Sequence, residues 1–406
     1  MACLMKDFDL AVIGAGIVGL AATNEICSRQ PELRIALLDK ESEVARHQSG
    51  RNSGVLHTGV YYRPGSRKAR ACVLGRSKMV AFCQQHGIAH DITGKVIVAT
   101  EPEQQPALQQ LRKRAAQNGV SAATIDRKEL REIEPHARGV GALHVPQAGI
   151  VDYRAVCAAL LRLCRARGVE FYPSTRVVGF RQQQRSLVID TSQQNFRAKF
   201  VLNCGGLYSD RLAHLCGAPS IAQIVPFRGH YYHLAGPARD WVRGLIYPVP
   251  LAGLPFLGVH LTRDLHGGVH VGPNAVLAAG REAYHRWAID WEDLAETLTY
   301  PGFVQLAARY GRLGGRELLQ SLSRTAFARE AALLLPQLRA RHLLAAPSGI
   351  RAQAVLRDGR LVDDFLFHQV SRSLSVINAP SPAATASLEL AREIADRTLD
   401  GLAALD

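Results

Sequence analysis

The pattern of apolar and polar positions at the start of the chain predicts a strand, a tight turn, a helix and a second strand. Residues 7–13 form the first largely apolar run, a helical stretch follows, and residues 34–38 form the second run. Gly14, Gly16 and Gly19 lie in the turn between the first strand and the helix. This order of elements indicates the first β-α-β unit of a nucleotide-binding fold.

The glycine spacing matches the fingerprint of a dinucleotide site. The first glycine permits the tight turn, the second lets the backbone approach a pyrophosphate, and the third allows helix and strand to pack closely. Asp39 ends the second strand, where an acid accepts hydrogen bonds from a ribose. A glycine-bearing turn in some other α/β unit is the alternative, but the strand, the helix and the acid together favour the dinucleotide site.

The rest of the pattern predicts short strands and helices in alternation. Residues 41–66 form a polar, glycine-rich loop, which is costly to order unless a ligand orders it. The predicted helices are 67–87, 102–118, 152–167, one from about Tyr208, most of 282–340, and one from Ser381 or Pro382. The predicted strands are 93–100, 169–172, 176–180, 186–189, 196–197, 200–203, an antiparallel sheet over 225–273 with a hairpin at 264–268, then 342–351, 365–368 and 374–378.

Composition narrows the classes of protein that fit. At 406 residues, 47% hydrophobic and 21% charged, the chain fits a globular protein of two domains. The chain has no run of about 18 apolar residues, so no membrane span is expected. No secretory signal is recognisable. The first five residues are expected to be a frayed tail. The eight cysteines form no zinc or disulfide pattern, which predicts reduced thiols, no bound metal and a cytoplasmic location.

The net charge of +14 could favour nucleic acid, an anionic membrane or acidic substrates. The basic residues are dispersed and no nucleic-acid-binding motif is present, so we expect no nucleic-acid partner. Anionic metabolites fit better, as does peripheral contact with anionic lipid on the inner face of the cell membrane. Genomic base composition is an equally simple explanation for the many arginines.

Several segments together resemble a known family. They are the glycine turn with Asp39, the stretch His47–Tyr62, Asn203–Asp210 and Gly349–Arg351, and they resemble the D-amino-acid-oxidase-like (DAO) FAD-dependent oxidoreductases. A narrower resemblance, to the L-2-hydroxyglutarate dehydrogenase/oxidase family, rests on 47–62, 226–229, 246–250, 255–260, 272–275, 361–364 and 378–384. Asp39 stands where that family commonly has Glu, and either acid accepts ribose hydrogen bonds.

The resemblance implies a fold class of α/β with α+β. An interrupted Rossmann-like FAD-binding domain is expected over 1–90, 148–222 and 345–406. A mixed antiparallel-sheet and helix substrate domain is expected over 91–147 and 223–344. The implied reaction is oxidation of L-2-hydroxyglutarate to 2-oxoglutarate by hydride transfer to flavin N5, with electrons passed to a quinone, a respiratory acceptor or oxygen.

The resemblance also implies the residues that hold FAD. We expect non-covalent binding, because in covalent relatives the linking cysteine lies near Gly-Ile-Arg, where this chain has Ala352. The first turn of the last helix could face flavin oxygens. The expected cofactor residues are Gly14, Gly16, Ile17, Val18, Gly19, Asp39, Lys40, His47, Gln48, Ser49, Arg51, Asn52, Ser53, Gly54, Val55, Val177, Cys204, Gly205, Gly349, Arg351, Pro382, Ala383 and Ala384.

The substrate needs a base for its hydroxyl proton and cations for its two carboxylates. His57, in a loop expected to pass the flavin, is the candidate base; a histidine that only bonds the backbone is the alternative. Arg351 is the candidate carboxylate clamp, and a structural ion pair is its alternative. Arg228 is a second clamp candidate. Weaker substrate-site candidates, which packing would also explain, are Tyr61, Tyr247, His260 and Asn274.

Two other functions stay open at this point. One is another oxidase of the same superfamily that acts on an amino acid or a secondary amine. The other is a flavoprotein or basic surface-binding protein without turnover. Reduction of the bound flavin by hydroxy acids, by amino acids or by neither would separate the three.

Overall fold

The structure is a computed structural model that describes residues 5–250 and 258–405, without side chains at 312–313, 316–317 and 319–322. Four of the five residues expected to form a frayed tail lie outside the described residues. So do Cys3 and residues 255–257 of one motif that carries the resemblance.

The described chain contains strands and helices in mixed order. The strands are β1 (Lys6–Ile13), β2 (Ile35–Leu38), β3 (Val55–Leu56), β4 (His90–Asp91), β5 (Lys95–Ala99), β6 (Ala123–Ile125), β7 (Gly141–Val145), β8 (Gly149–Val151), β9 (Glu170–Tyr172), β10 (Val177–Gln182), β11 (Leu187–Thr191), β12 (Phe196–Asn203), β13 (Gln223–Leu234), β14 (Leu245–Pro248), β15 (Leu261–Arg263), β16 (Val269–Val271), β17 (Val276–Leu277), β18 (Leu343–Val355), β19 (Leu366–Val370) and β20 (Ser373–Asn378). The α-helices are α1 (Ile17–Arg29), α2 (Arg67–Gln85), α3 (Gln105–Gln117), α4 (Arg127–Ile133), α5 (Tyr153–Ala166), α6 (Ser209–Leu215), α7 (Trp291–Thr299), α8 (Pro301–Leu322), α9 (Arg324–Ala331) and α10 (Ala383–Ala403).

The chain divides into two compact units, each assembled from separate segments. The first unit comprises residues 1–50, 153–225 and 352–406, and the second comprises 51–152 and 226–351. The sequence analysis assigned 51–90 to the first domain, and the structure places these residues in the second unit. The reason is local pairing, because β3 and β4 both pair with β8 in a small antiparallel sheet of the second unit.

The first unit contains an eight-stranded sheet in the order β10-β11-β12-β1-β2-β9, with β20 beside β12 and β19 beside β20. Strand β1 runs parallel to both β2 and β12. All four residues of β2 are buried, as are Leu10–Ile13 in β1, which is expected of parallel strands that are covered on both faces. Helix α1 packs against α5 and α10. This is the predicted Rossmann-like arrangement.

The second unit is built on a nine-stranded sheet in the order β17-β13-β16-β15-β14-β5-β7-β6, with β18 beside β13. Side chains of β5 alternate between two apolar clusters: Val96 and Val98 belong to one, and Ile97 and Ala99 to the other. Lys95 shares the face of Ile97 and Ala99 by the same alternation. The β15–β16 hairpin is confirmed, whereas β14 pairs in parallel with β5 inside a region expected to be antiparallel.

Smaller differences from the sequence predictions concern element ends. Residues 196–203 form one continuous strand, because β12 lies in the centre of the sheet and pairs along this length with β1. Helix α10 begins at Ala383, with Pro382 as its N-cap. None of the seven described cysteines forms a disulfide. Within the described residues, no helix has the length and apolar character of a membrane span.

Candidate active site

The glycine turn of the first unit has the close approach that the fingerprint requires. Gly14 has a φ of +102°, which disfavours any residue with a side chain. A Cβ at Gly14 would collide with the carbonyl oxygen of Cys204, and one at Gly19 would collide with the carbonyl oxygen of Gly14. These two glycines therefore hold β1, α1 and the end of β12 together.

Asp39 is fixed beside this turn. Its Oδ2 accepts a hydrogen bond from the backbone N–H of Ala15 at 2.6 Å, and its Oδ1 accepts one from Glu41 at 2.8 Å. Burial raises the pKa of Asp39 above its usual value, and the two backbone N–H groups oppose that shift. Each carboxylate oxygen has room for a further donor. The acid is thus held in place and can still accept a ribose hydroxyl.

The segment after β2 closes on the same turn. Ser49 Oγ accepts a hydrogen bond from the backbone N–H of Ile17 at 2.9 Å, and Gln48 Oε1 accepts one from Ala352 at 3.0 Å. His47 Nε2 lies 3.0 Å from Lys40 Nζ and 2.9 Å from Glu41 Oε1. These contacts order part of the polar loop without a ligand.

The remaining first-unit residues expected at FAD also suit it. Neither N-cap residue, Gly16 of α1 or Pro382 of α10, caps its helix with a side chain. Ser49 accepts the N–H of Ile17 in α1, and further first-turn N–H groups can donate to oxygen atoms of a ligand. Burial raises the pKa of Cys204 to about 12, which keeps this thiol protonated. The donor set, the glycine cradle and the fixed acid together fit a dinucleotide.

The other residues expected at FAD are in the second unit. Gly349 is restricted there, because a Cβ would collide with the carbonyl oxygen of Arg51. The Arg51 guanidinium carbon lies 4.1 Å from the centroid of the Tyr284 ring. The expected cofactor residues in this unit are Arg51, Asn52, Ser53, Gly54, Val55, Gly349 and Arg351.

The second unit brings together most of the predicted substrate residues. The rings of Tyr247 and His260 stack at 4.0 Å with an interplanar angle of 21°, and Tyr61 lies 6.5 Å from Tyr247. The Nζ atom of Lys95 lies 4.0 Å from the centroid of Tyr247 and 5.3 Å from that of Tyr61. The imidazole of His260 and the ammonium of Lys95 both lie 4.0 Å from the ring centroid of Tyr247. One face of the ring has no room for both, so they lie on opposite faces.

Two neutral imidazoles lie in this cluster. The pKa of His57 is well below its usual value, first because of burial and then because of the positive charges of Lys95, Lys68 and Arg351 and the neighbouring His260. The pKa of His260 falls to about 3, again mainly through burial. His260 Nδ1 lies 3.0 Å from the carbonyl oxygen of Gly258, so Nδ1 carries the proton and Nε2 is an acceptor. Both rings can accept protons at neutral pH.

Arg351 belongs to the same group of charges. Burial lowers its pKa, and the phenols of Tyr231 and Tyr62 oppose the shift. Burial in turn raises the pKa of Tyr231 to about 12. The guanidinium is therefore charged at every pH of interest, and it acts electrostatically on both imidazoles.

Arg228 has a different environment from the one expected of a substrate clamp. Its Nη1 donates to the carbonyl oxygens of Ala283 and His285 at 2.9 and 2.8 Å, and its Nε donates to His230 Nε2 at 3.1 Å. These bonds tie β13 to the segment before α7. Among the described residues only its Nη2 has no bond to another residue, so most of its guanidinium is bound within the protein.

Several buried polar atoms near these residues have no hydrogen-bond partner among the described residues. Burying such an atom unpaired is unfavourable, and a bound ligand is a common reason for it. Asn274 is one case: its Oδ1 accepts from the backbone of His230 at 2.9 Å, whereas its Nδ2 has no partner. The atoms of this kind in the second unit include Thr58 Oγ1, Tyr61 Oη, His230 Nδ1 and Asn274 Nδ2.

Lys95 is the residue that the sequence analysis missed. It was predicted to lie in an apolar strand. With 2% exposure the whole side chain, including the amine, is buried there. The available signal was a lysine at a core-facing position of the run Lys-Val-Ile-Val-Ala, opposite Leu245 and Val145 on the neighbouring strands. Lysine is almost never fully buried without a function or a partner.

Comparison with known proteins gives the family. Residues 9–397 match the family described as DAO, FAD dependent oxidoreductase. The chain belongs to this family. FAD is therefore its cofactor, in agreement with the glycine turn and Asp39.

Relatives of this DAO chain include proteins named L-2-hydroxyglutarate dehydrogenase. The one from Indibacter alkaliphilus is 43% identical over 97% of this chain and 99% of its own length. That of Escherichia coli K12 is 41% identical over 96% of this chain and 93% of its own. The mitochondrial protein of Homo sapiens is 38% identical over 96% of this chain and 88% of its own length. The chain thus belongs, within the DAO family, to the group of these dehydrogenases.

Solved structures with the same fold include two oxidases. L-alpha-glycerophosphate oxidase from Mycoplasma pneumoniae, solved with FAD bound, has a TM-score of 0.80 at 21% identity and covers 98% of this chain and 95% of its own. Glycine oxidase from Geobacillus kaustophilus has a TM-score of 0.71 at 18% identity, and the match covers 97% of this chain and 95% of that one. These similarities confirm the predicted fold class.

Proposed function

We propose that this protein oxidises L-2-hydroxyglutarate to 2-oxoglutarate with FAD as the oxidant. The observation that carries the proposal is the buried cluster in the second unit, where two neutral imidazoles lie among the cations Lys95, Lys68 and Arg351. Such a cluster suits a dianion that must lose a proton. The dehydrogenases that share 38–43% identity with the chain support this substrate in particular.

In this proposal His57 removes the proton of the substrate hydroxyl. Its lowered pKa keeps the imidazole neutral near pH 7, so that it is ready to accept a proton. FAD, when bound, would supply the two-electron oxidation at the carbon that carries the hydroxyl. The proton moves to His57, the C–O bond becomes a carbonyl, and the product is 2-oxoglutarate.

Arg351 binds the carboxylate next to that hydroxyl. Its planar guanidinium can donate two parallel hydrogen bonds to a carboxylate, which fixes the orientation as well as the charge. Tyr61 Oη and Asn274 Nδ2 are further donors that have no partner among the described residues and suit the substrate oxygens. We assign Arg228 to the support of this site, because two backbone carbonyl groups and the Nε2 atom of His230 accept its hydrogen bonds.

FAD is bound without a covalent link in this proposal. The raised pKa of Cys204 makes its thiol a poor nucleophile, and Ala352, not a cysteine, follows the segment Gly349–Arg351. The sequence holds a single G-x-G-x-x-G fingerprint, at 14–19, and FAD occupies it. No second fingerprint is present for a nicotinamide cofactor. We therefore propose a quinone as the electron acceptor, with oxygen slower.

Turnover with a dye acceptor tests the function directly. The purified yellow protein is mixed with L-2-hydroxyglutarate and a reducible dye, and 2-oxoglutarate is measured alongside dye reduction. One molecule of product per two electrons is expected, with D-2-hydroxyglutarate as the matched control. Faster dye reduction with glycine, proline or another amino acid would contradict the proposal.

A further inference from the structure

Lys95 has a position that the proposed function does not yet explain. It begins β5, with Leu245 of β14 on one side and Val145 of β7 on the other, both fully buried. Among the described residues its ammonium forms no ion pair and no side-chain hydrogen bond, and only the rings of Tyr61 and Tyr247 lie close to it. Two aromatic faces compensate a buried ammonium only partly.

Within residues 5–250 and 258–405, no acid is near enough to Lys95 to compensate its charge. Burial lowers its pKa to about 7, and Cys72 of α2 is the one described group that opposes this shift. The titratable groups around it are Tyr61 and His57 of the loop before α2, Cys72, Tyr247 of β14 and, on the other face of the Tyr247 ring, His260. All of these are neutral near pH 7. A ligand that brings a negative charge would supply the missing partner.

Arg351 and Lys95 act on the same imidazoles from separate places. Both cations lower the pKa of His57 and of His260. Arg351, in contrast, does not contribute to the lowered pKa of Lys95 among the described residues. Two cations that act on the same pair of imidazoles match a ligand with two anionic groups and a hydroxyl.

We propose that the Lys95 ammonium is a second anion site, which binds the distal carboxylate of a five-carbon 2-hydroxydicarboxylate while Arg351 binds the carboxylate beside the hydroxyl. The proposal rests on the proposed function and assigns its selectivity for dicarboxylates to one residue. Tyr61 and Tyr247 hold the ammonium in place by cation–π contact. His57 faces the hydroxyl between the two anion sites.

The test compares two substrates that differ only at the distal end. L-2-hydroxypentanoate has the same five carbons as L-2-hydroxyglutarate, with a methyl group in place of the distal carboxylate. Lys95→Met should lower kcat/KM for L-2-hydroxyglutarate by about 10²-fold, the usual effect of removing one partner of a buried charge pair. It should lower kcat/KM for L-2-hydroxypentanoate by a much smaller factor, the one that loss of a positive charge near His57 causes for both substrates. Equal losses for both substrates, or no loss for either, would overturn the proposal.

Lys68→Met is the matched control. Lys68 is also buried, lies 4.9 Å from the ring of Tyr62 and contributes to the low pKa of His57. Its removal should affect the two substrates by the same factor. If Lys68→Met instead removed the preference for the dicarboxylate and Lys95→Met did not, the second anion site would be Lys68 and the proposal would be wrong.

The pH profile gives an independent readout. In the free enzyme Lys95 is protonated below about pH 7, so kcat/KM for the dicarboxylate should fall as the pH rises through 7. Lys95→Arg keeps its charge and should abolish that limb. L-2-hydroxypentanoate should show no such limb with the wild-type enzyme. A limb that persists in Lys95→Arg would contradict the assignment.

Stability separates this role from a structural one. The pKa of Lys95 in the folded protein is about 7, below the 10.5 of an exposed lysine. Below pH 7 the charged amine therefore lowers the stability of the fold. Above pH 7 the contribution of this group to stability rises with pH. Lys95→Met should therefore have a Tm at pH 6 no lower than that of the wild type. A lower Tm, with equal losses for both substrates, would identify Lys95 as a packing residue.

Binding of glutarate keeps this inference distinct from the proposed function. Glutarate has two carboxylates and no hydroxyl, so calorimetry on the FAD-loaded protein measures the anion sites without turnover. Glutarate should bind the wild type and bind Lys95→Met about 10²-fold more weakly. Failure of L-2-hydroxyglutarate to reduce the wild-type flavin would overturn the proposed function alone. Equal glutarate affinity in both proteins would overturn the role of Lys95.

Discussion

At the scale of single residues, the site depends on keeping imidazoles neutral among cations. His57 carries no charge near pH 7 because burial and three neighbouring cations all disfavour its protonation. The sequence analysis would place its titration in the ordinary imidazole range. The structure moves the titration to lower pH, because each of these causes has the same sign.

The first prediction concerns the catalytic base. His57→Ala should retain FAD, since the first unit supplies the glycine turn and Asp39, and should reduce flavin about 10²–10⁴-fold more slowly. The wild-type rate should rise with pH through a pKa below 6.5, and this limb should vanish in the variant, as stopped-flow measurements across the pH range would show. If the variant keeps a near-normal rate and the same limb, the base is elsewhere. His260→Ala is then the variant to test.

A second prediction separates the two buried arginines. Arg351→Lys keeps the charge but loses the bidentate geometry, so KM for L-2-hydroxyglutarate should rise by about tenfold or more, with a smaller effect on kcat. Arg228→Lys should mainly lower the Tm, because the bonds to Ala283 and His285 hold two segments together. Steady-state kinetics and thermal unfolding of both variants check this. An unchanged KM in Arg351→Lys would exclude the clamp role.

Sequence reasoning proposed site residues in polar or glycine-rich segments and did not propose Lys95. His57, Tyr61 and Arg351 lie in polar or glycine-rich segments, where a chemical role is easy to suspect. Lys95 opens an apolar strand, and its significance depends on which face of the sheet it occupies and on Tyr247 from another strand. Neither fact is readable from local sequence. Arg228 was proposed from the sequence as a second carboxylate clamp. Its backbone partners, such as Ala283, cannot be read from the sequence.

At the scale of elements, the glycine turn gives a sharp test of the cofactor site. Gly14 and Gly168 both have positive φ, +102° and +87°, but a Cβ would strike the Cys204 carbonyl at Gly14 and meet nothing within 4 Å at Gly168. Gly14→Ala should therefore purify without flavin, whereas Gly168→Ala should stay yellow despite a similar backbone strain. The ratio of flavin absorbance to protein absorbance measures both. Normal flavin content in Gly14→Ala would refute this assignment of the turn.

Elements were easier to predict than the way they assemble. Local periodicity and turn residues predicted helices such as α2 and the β15–β16 hairpin within a few residues. The boundary after Gly50 was wrong by about forty residues, because β3 and β4 are only two residues long and belong to the second unit through pairing with β8. Such short strands leave no periodic signal. The parallel β5–β14 pair was missed for the same reason, since it joins distant segments.

At the scale of the whole molecule, the net charge of +14 and the single dinucleotide fingerprint bear on the electron acceptor. Soluble quinones and dyes should support turnover, oxygen should be slower, and NAD should be inert. Efficient reduction of NAD by the pure protein, measured at 340 nm as an absorbance increase, would contradict this.

Charge also predicts how the protein meets a lipid surface. Vesicles with anionic lipid should retain the protein at low salt and release it as ionic strength rises to a few hundred millimolar, because screening shortens the range of the attraction. Neutral vesicles are the control in the same sedimentation assay. Binding that is equal on neutral and anionic vesicles would show that the positive charge has another cause.

The central claim is that L-2-hydroxyglutarate reduces the flavin of this protein. Anaerobic mixing of the FAD-loaded protein with single acids, followed by the flavin absorbance near 450 nm, measures this step without any acceptor. The account predicts full bleaching by L-2-hydroxyglutarate, slower bleaching by L-2-hydroxypentanoate, and none by D-2-hydroxyglutarate or by amino acids. A flavin that stays oxidised with L-2-hydroxyglutarate, or that an amino acid bleaches faster, would contradict it.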